Sequence, residues 1–175
     1  PENYSFATTG FGAAGHLAIA DYRMRSDLTD IPIVLYKGGG PALQDVIGGQ
    51  VTGVIDPMLS TLPQVRAGNL KAIAVTGDKR AEQLPDVPTM KESGFDNFEM
   101  YSWYGLWAPA GLPEPILKKL EAASEKVMEN PDMINRLAND GFTVDYKDSA
   151  GFISFIDQEM GLYQDIIDKA EIKAN

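Results

Sequence analysis

The chain contains no cysteine. That excludes disulfides, thiolate metal sites and a cysteine nucleophile, and it leaves the redox compartment open. Basic residues are scarce: 15 Lys and Arg stand against 25 Asp and Glu, for a formal net charge of -10. No cluster of Lys and Arg rises above that background, so the footprint of a nucleic-acid binder is missing and anionic membrane surfaces are equally poor partners. No apolar run approaches the roughly 20 residues needed to span a bilayer. The opening Pro1-Glu2-Asn3 is not a basic and then apolar leader, and without an initiator Met the chain reads as mature, trimmed or partial.

What is present is enough for a core. A chain of 175 residues with 44% hydrophobic content lies in the range of one globular domain and should bury roughly 70% of its unfolded surface. Short β-rich runs at Tyr4 to Thr9, Ile31 to Tyr36, Val51 to Asp56 and Leu70 to Thr76 alternate with helical patterns. The alternation predicts βαβ units and a parallel sheet. The first helix should follow Gly12 with Leu17, Ala20 and Met24 on one face, and the second should carry Leu43, Val46 and Ile47. Ser60 reads as the N-cap of a third helix, with Pro63 in its first turn and Gly68 as its terminator.

From Lys79 the texture becomes polar, punctuated by Pro85, Pro88 and Gly94, and reads as a surface excursion with at most a helical turn. The aromatic run "FEMYSWYGLWAPAG" reads as a long strand ending at Pro109, and its Trp103, Tyr104 and Trp107 as core or hinge packing before a stacking platform. Helices are expected near Glu114 to Glu129 and from Asn130-Pro131-Asp132 onward. A short strand at Phe142 to Tyr146 should lead into a last helix carrying Phe152, Ile156, Tyr163, Ile167 and Ala170 on one stripe.

In a parallel α/β sheet, ligands bind beyond the carboxyl ends of the strands, where loops open into helix N-termini. Three such loops stand out: Thr8 to Ala14, Lys37 to Pro41 and Asp56 to Thr61. In "TTGFGAAGH", Gly10 and Gly12 let backbone approach a ligand, and the helix that follows offers free N–H groups suited to an anion. The same glycines could simply make the turn. "YKGGGPALQDVIGG" is not a phosphate-binding P-loop, because its lysine precedes the glycines and no Ser or Thr follows. "GFGAAG" matches the letters of a dinucleotide fingerprint, yet the acid expected about 20 residues on would be Asp27 or Asp30, outside a strand end. A nucleotide- or dinucleotide-dependent α/β enzyme using Gly10 to Gly15 is therefore the second reading. Lys37 is either a charge partner for a carboxylate or a solvated lysine. His16, the only histidine, lacks a local nucleophile and orienting acid, and so reads as a hydrogen-bonding support more than a base. Asp56 either accepts from a ligand amine or hydroxyl, or makes an Asx turn into Pro57.

Taken in order, "NYSFATTGFGAAGHLA", "VLYKGGGPALQDVIGGQV", "VIDPMLSTLPQVRAGNLKAIAVTGDKRAEQLPDVPTMKESGF" and "SWYGLWAPAGLPEPI" resemble the substrate-binding proteins of tripartite tricarboxylate transporters, the Bug family, over the whole chain. The resemblance implies an α/β fold. It would be a periplasmic-binding-protein-like (type II) lobe with a mainly parallel sheet flanked by helices, plus a C-terminal helical segment. It also implies a periplasmic protein that is not an enzyme, needs no cofactor or metal, and presents a small carboxylate to membrane permease subunits. Under it, residues 1–100 form a complete second lobe, while residues 101–175 form the crossover strand and C-terminal helices of an incomplete first lobe. The exposed apolar face of that segment would seek a partner or another copy. Carried over position by position, the ligand-binding residues are Thr9, Gly10, Gly12, Ala13 and His16 at the first helix, Gly39 and Gly40 at the second, and Asp56 at the third strand end. The family often has Ser where this chain has Ala13 and Ala14, so backbone N–H groups and bound water must hold the carboxylate here.

Overall fold

The computed structural model describes residues 4–173. Three short strands, β1 (Phe6–Thr8), β2 (Ile33–Leu35) and β3 (Gly53–Val54), make one parallel sheet in the order β2-β1-β3. Phe6 lies beside Ile33 on one side and Gly53 on the other, and Ala7 lies between Val34 and Val54. Each strand feeds a helix: α1 (Ala14–Arg25), α2 (Gly39–Ile47) and α3 (Met58–Arg66). All three helix N-termini therefore follow the same, carboxyl-terminal edge of the sheet.

Strand alternation sends Phe6 and Thr8 to one face and Ala7 to the other. On the first face Phe6 meets Tyr22 of α1 edge-on, with ring centroids 5.8 Å apart. On the second, Ala7, Ala42 of α2 and Val51 form a buried cluster. The two helices thus cover opposite faces, as right-handed crossovers require when the chain steps from β1 out to β2 and then back past β1 to β3. Residues Gly15 through Asp21 of α1 are all buried, because the helix has neighbours beyond the sheet as well. Its Leu17 and Ala18 pack with Met90, Phe98, Met100 and Ile166. The segment after Lys79 is consequently more than a surface excursion: Met90 and Phe98 are core residues. Thr89 and Glu92 cap each other reciprocally there, Thr89 N–H to Glu92 Oε2 at 2.8 Å and Glu92 N–H to Thr89 Oγ1 at 3.0 Å.

The remaining helices are α4 (Glu114–Met128), α5 (Pro131–Asn139) and α6 (Ser149–Lys169). The first two begin where Glu114 and the Asn130-Pro131 cap signal place them. The described chain divides into two compact units, one running through Ser102 and resuming at Tyr163, the other comprising Trp103–Leu162. Every hydrophobic side chain of the buried core belongs to the first. In the second, Trp103 packs edge-on against Phe152 and Phe155, with centroids 5.5 and 5.6 Å away. Leu106 and Trp107 nevertheless remain 75% and 67% exposed.

Three expected strands are absent among the described residues. Leu70 to Thr76 contributes only an isolated bridge, Val75 to Thr89, and neither the aromatic run nor Phe142 to Tyr146 joins a ladder. Their composition favours a pleated surface, but a strand exists only through a neighbour's hydrogen bonds, and no described segment offers them a ladder. The third helix also differs in detail. It starts two residues before Ser60 with Pro57 as N-cap, and Pro63 lies inside it instead of in its first turn. Gly68 does follow its end with a φ of 75°, in the left-handed conformation that terminates helices.

Candidate functional site

The N-termini of α1, α2 and α3 share an unusual feature. Their N-cap positions hold Ala13, Gly38 and Pro57, none provides a side-chain cap, and none of the three helices has an acidic residue in its first turn. Elsewhere the chain does supply such groups. Asn130 Oδ1 accepts from Asp132 and Met133 at α5, Glu114 lies in the first turn of α4, and Asp148 Oδ1 accepts from the Gly151 N–H at the start of α6. First-turn N–H groups have no intrahelical partner, and a cap typically contributes about 1 kcal/mol. Three helices forgo that contribution along one sheet edge, where their positive dipole ends and free donors suit an anion.

The loop from β1 to α1 is shaped by two glycines and a histidine. Gly12 has a φ of 73°, a left-handed conformation that glycine adopts without cost. Its N–H donates to His16 Nδ1 at 3.0 Å. Burial pushes the imidazole below its ordinary pKa, and the nearby charge of Arg23 adds to the effect. Because Nδ1 accepts, the neutral imidazole that burial favours carries its proton on Nε2, and it holds the loop while Phe11 lies over it at a centroid distance of 5.0 Å. Ala13 begins the helix with extended backbone. The Gly38 N–H donates to the Thr9 carbonyl at 3.2 Å, tying the second loop to the first. Lys37 beside it is exposed.

Asp56 closes the arrangement. Its Oδ2 accepts from Ser60 Oγ, one helical turn on, and lies 3.4 Å from where a Cβ on Gly39 would sit. Thr9 is also within reach: its methyl lies 3.9 Å from that same point, and its hydroxyl donates to the carboxylate. Burial raises the Asp56 pKa, and the hydrogen bonds from Ser60 and Thr9 offset only part of that rise. Thr9, Gly39 and Asp56 are therefore brought together, Gly10, Gly12 and Ala13 line the first loop, and Gly40 is exposed at the start of α2. Among the described residues no group of His, Asp and Glu could hold a metal ion.

Three further residues matter that sequence reasoning did not single out for the site. Ser60 was expected as a cap and instead donates to Asp56. Thr8 is fully buried under α1, and its Oγ1 has no hydrogen-bond partner. Gly15 is the closest constraint of all. A Cβ there would collide with the carbonyl oxygen of Ile55, lie 3.3 Å from its carbon, and come within 3.7 Å of Thr8 Oγ1. The third glycine of "GFGAAG" was the visible signal, since that position in a glycine-rich turn permits close helix–strand packing.

Comparison with known proteins bears on the same site. The family model described as "Tripartite tricarboxylate transporter family receptor" matches residues 1–172. A curated relative from Agrobacterium vitis, a UPF0065 protein, is 41% identical over 138 residues, covering 77% of this chain and 40% of the relative. The solved structure of the periplasmic binding protein BugD superposes with a TM-score of 0.87 at 32% identity, covering 98% of this chain and 58% of that one. An R. palustris protein with adipate gives 0.91 at 25% identity over 97% and 56% of the two chains. MatC from Rhodopseudomonas palustris with bound malate gives 0.82 at 31% identity over 94% and 57%. The chain thus spans roughly half the length of the relatives it matches. The BugD structure is that of a periplasmic binding protein, and the dinucleotide reading gains no support from any of these matches. The fold agrees, since Asp27 takes a φ of 56° before β2 and no acid ends that strand.

Two outcomes follow. Gly15→Ala should destabilise the protein by about 1–3 kcal/mol, the usual cost of overpacking, because the atom in the way is backbone; urea denaturation reading no loss would contradict the packing. For Asp56, the folded pKa lies above its ordinary value of 3.8, so its contribution to stability is fully present below that pH and is lost as pH rises through the folded pKa. Asp56→Asn should therefore raise the melting temperature at pH 7.5, with the gain vanishing below about pH 4, as thermal melts at the two pH values will read.

Proposed function

Because this chain belongs to the tripartite tricarboxylate transporter receptor family, we propose that it forms the ligand-clamping part of a periplasmic solute-binding protein for a small carboxylate. The observation that carries the proposal is the set of three helix N-termini left without caps or acids along one edge of the sheet. Solved neighbours hold adipate and malate, and both are small carboxylates that such donors would suit. Under this reading Thr9, Gly10, Gly12, Ala13, Gly39 and Gly40 contact the ligand or its bound water. His16 fixes the first loop, and Asp56 borders the ligand. An acidic protein binding an acid is consistent, because oriented backbone dipoles set the local field and distant surface charges are screened over about 10 Å.

The protein would capture its ligand without chemical change and deliver it to membrane permease subunits. No helix among the described residues is long and apolar enough to cross a membrane, which fits a receptor that hands its ligand to separate spanning subunits. Residues 1–100 would then be one complete lobe and residues 101–175 would belong to another. The exposed Leu106 and Trp107 lie in the latter and would associate with a second copy when this chain stands alone.

Calorimetry on the complete gene product should give one-to-one binding of a di- or tricarboxylate with micromolar affinity, about -8 kcal/mol. Absence of heat with every di- and tricarboxylate, acidic amino acid and aromatic acid tried, together with stabilisation by NAD or ATP, would reverse the reading. Sedimentation of the isolated 175-residue chain should show mass rising with concentration, and a strict monomer would contradict the association.

A further inference from the structure

Resting on the carboxylate reading, we infer that the Asp56–Ser60 pair selects ligands carrying a hydrogen-bond donor, a hydroxyl or an ammonium, on the carbon next to the bound carboxylate. The geometry leads there. Asp56 is an acceptor placed against the first residue of α2, 3.4 Å from the Cβ position of Gly39, among N–H donors that suit an anion. A ligand carboxylate seated on those N–H groups would bring two negative groups close together, and like charges at such range destabilise each other. Two remedies exist. The ligand can present a donor to Asp56 on the atom adjacent to its own carboxylate, or the pair can take up a proton and share it.

Ser60 decides how the carboxylate is presented. Its hydroxyl donates to Oδ2 and lies 2.8 Å from the Pro57 carbonyl, which holds the Asp56 side chain on the sheet edge. With Ser60 and Thr9 already donating, the ionised carboxylate keeps acceptor capacity but has no donor of its own. The groups that face it from the packed elements are Thr9 after β1, Gly39 of α2 and Ser60 of α3. Among the described residues, no lysine, arginine or histidine pairs with it. A second polar atom stands at the same edge: the buried and unpartnered Thr8 Oγ1, under the first turn of α1 beside Gly15.

A half-buried carboxylate with acceptor capacity to spare discriminates between ligands that supply a donor and those that do not. The experiment is calorimetry of the complete gene product with L-malate, D-malate, L-aspartate and succinate, at pH 8 and pH 6.5 and in buffers of different ionisation enthalpy. At pH 8 at least one of the three donor-bearing ligands should bind about tenfold or more tightly than succinate. Succinate should tighten on going to pH 6.5 with proton uptake, and the preferred donor-bearing ligand should not. Asp56→Asn should bring the preferred ligand and succinate to within about threefold and abolish the proton uptake. Equal binding of succinate and the others by the wild type at pH 8, without proton uptake, would overturn the inference and leave carboxylate binding intact. A preference that survives in Asp56→Asn would overturn it too. Absence of heat with all four and with every other carboxylate tried would instead overturn the reading on which it rests. The wild-type comparison needs no variant, so a misfolded Asp56→Asn protein does not remove the test.

Discussion

The contact between Gly15 and the carbonyl of Ile55 is the constraint on which the site depends. Because no side chain intervenes, the first turn of α1 can rest against the backbone that leaves β3. This brings the end of the central strand's loop beside Asp56. The sheet order does the rest: with β2 and β3 on either side of β1 and all strands parallel, the chain reverses direction around one strand. Helices on opposite faces then start from a common edge of the sheet. Function in this fold comes from where helices start, and the sequence spends its glycines there.

The energetic signature is a pattern of things left undone. Three helices along the carboxyl-terminal edge of the sheet lack caps and first-turn acids, whereas the helices of the other unit have them or acidic starts. A buried hydroxyl on Thr8 is left unpartnered and a half-buried carboxylate on Asp56 is left without a cation. Each omission costs stability in the free protein, and under the proposed reading a bound ligand offsets part of that cost. Sites that break local rules in this way are where a ligand completes the structure.

Much of this was legible in the residues, for a physical reason. Hydrophobic runs followed by glycine-rich turns and helical spacing encode βαβ units locally, so β1 through α3 appeared in order. The Asn130-Pro131 cap and Gly68 terminator act within a turn of where they stand. The misses share the opposite character. Leu70 to Thr76, the aromatic run and Phe142 to Tyr146 have the composition of strands, but strand pairing is a property of two segments, and the second segment is not visible from the first. The role of Ser60 was misjudged because a serine three residues into a helix and a serine at its N-cap look alike, and the partner Asp56 lies four residues before it. Gly15 was seen as a letter in a motif, while its reason, a carbonyl 40 residues away in sequence, required the fold. Membership of the family came from motif order along the chain, which is more specific than any one glycine loop.

The central claim is that a carboxylate is held by the first-turn amides of α1, α2 and α3. Amide proton–nitrogen correlation spectra of the isotopically labelled complete gene product, titrated with the tightest-binding carboxylate found by calorimetry, test it most directly. The largest shifts should fall on the amides of Gly10 through Gly15, Gly38 to Gly40 and the start of α3, moving together with one affinity. Saturable binding whose shifts leave those amides still and move other parts of the chain would contradict it.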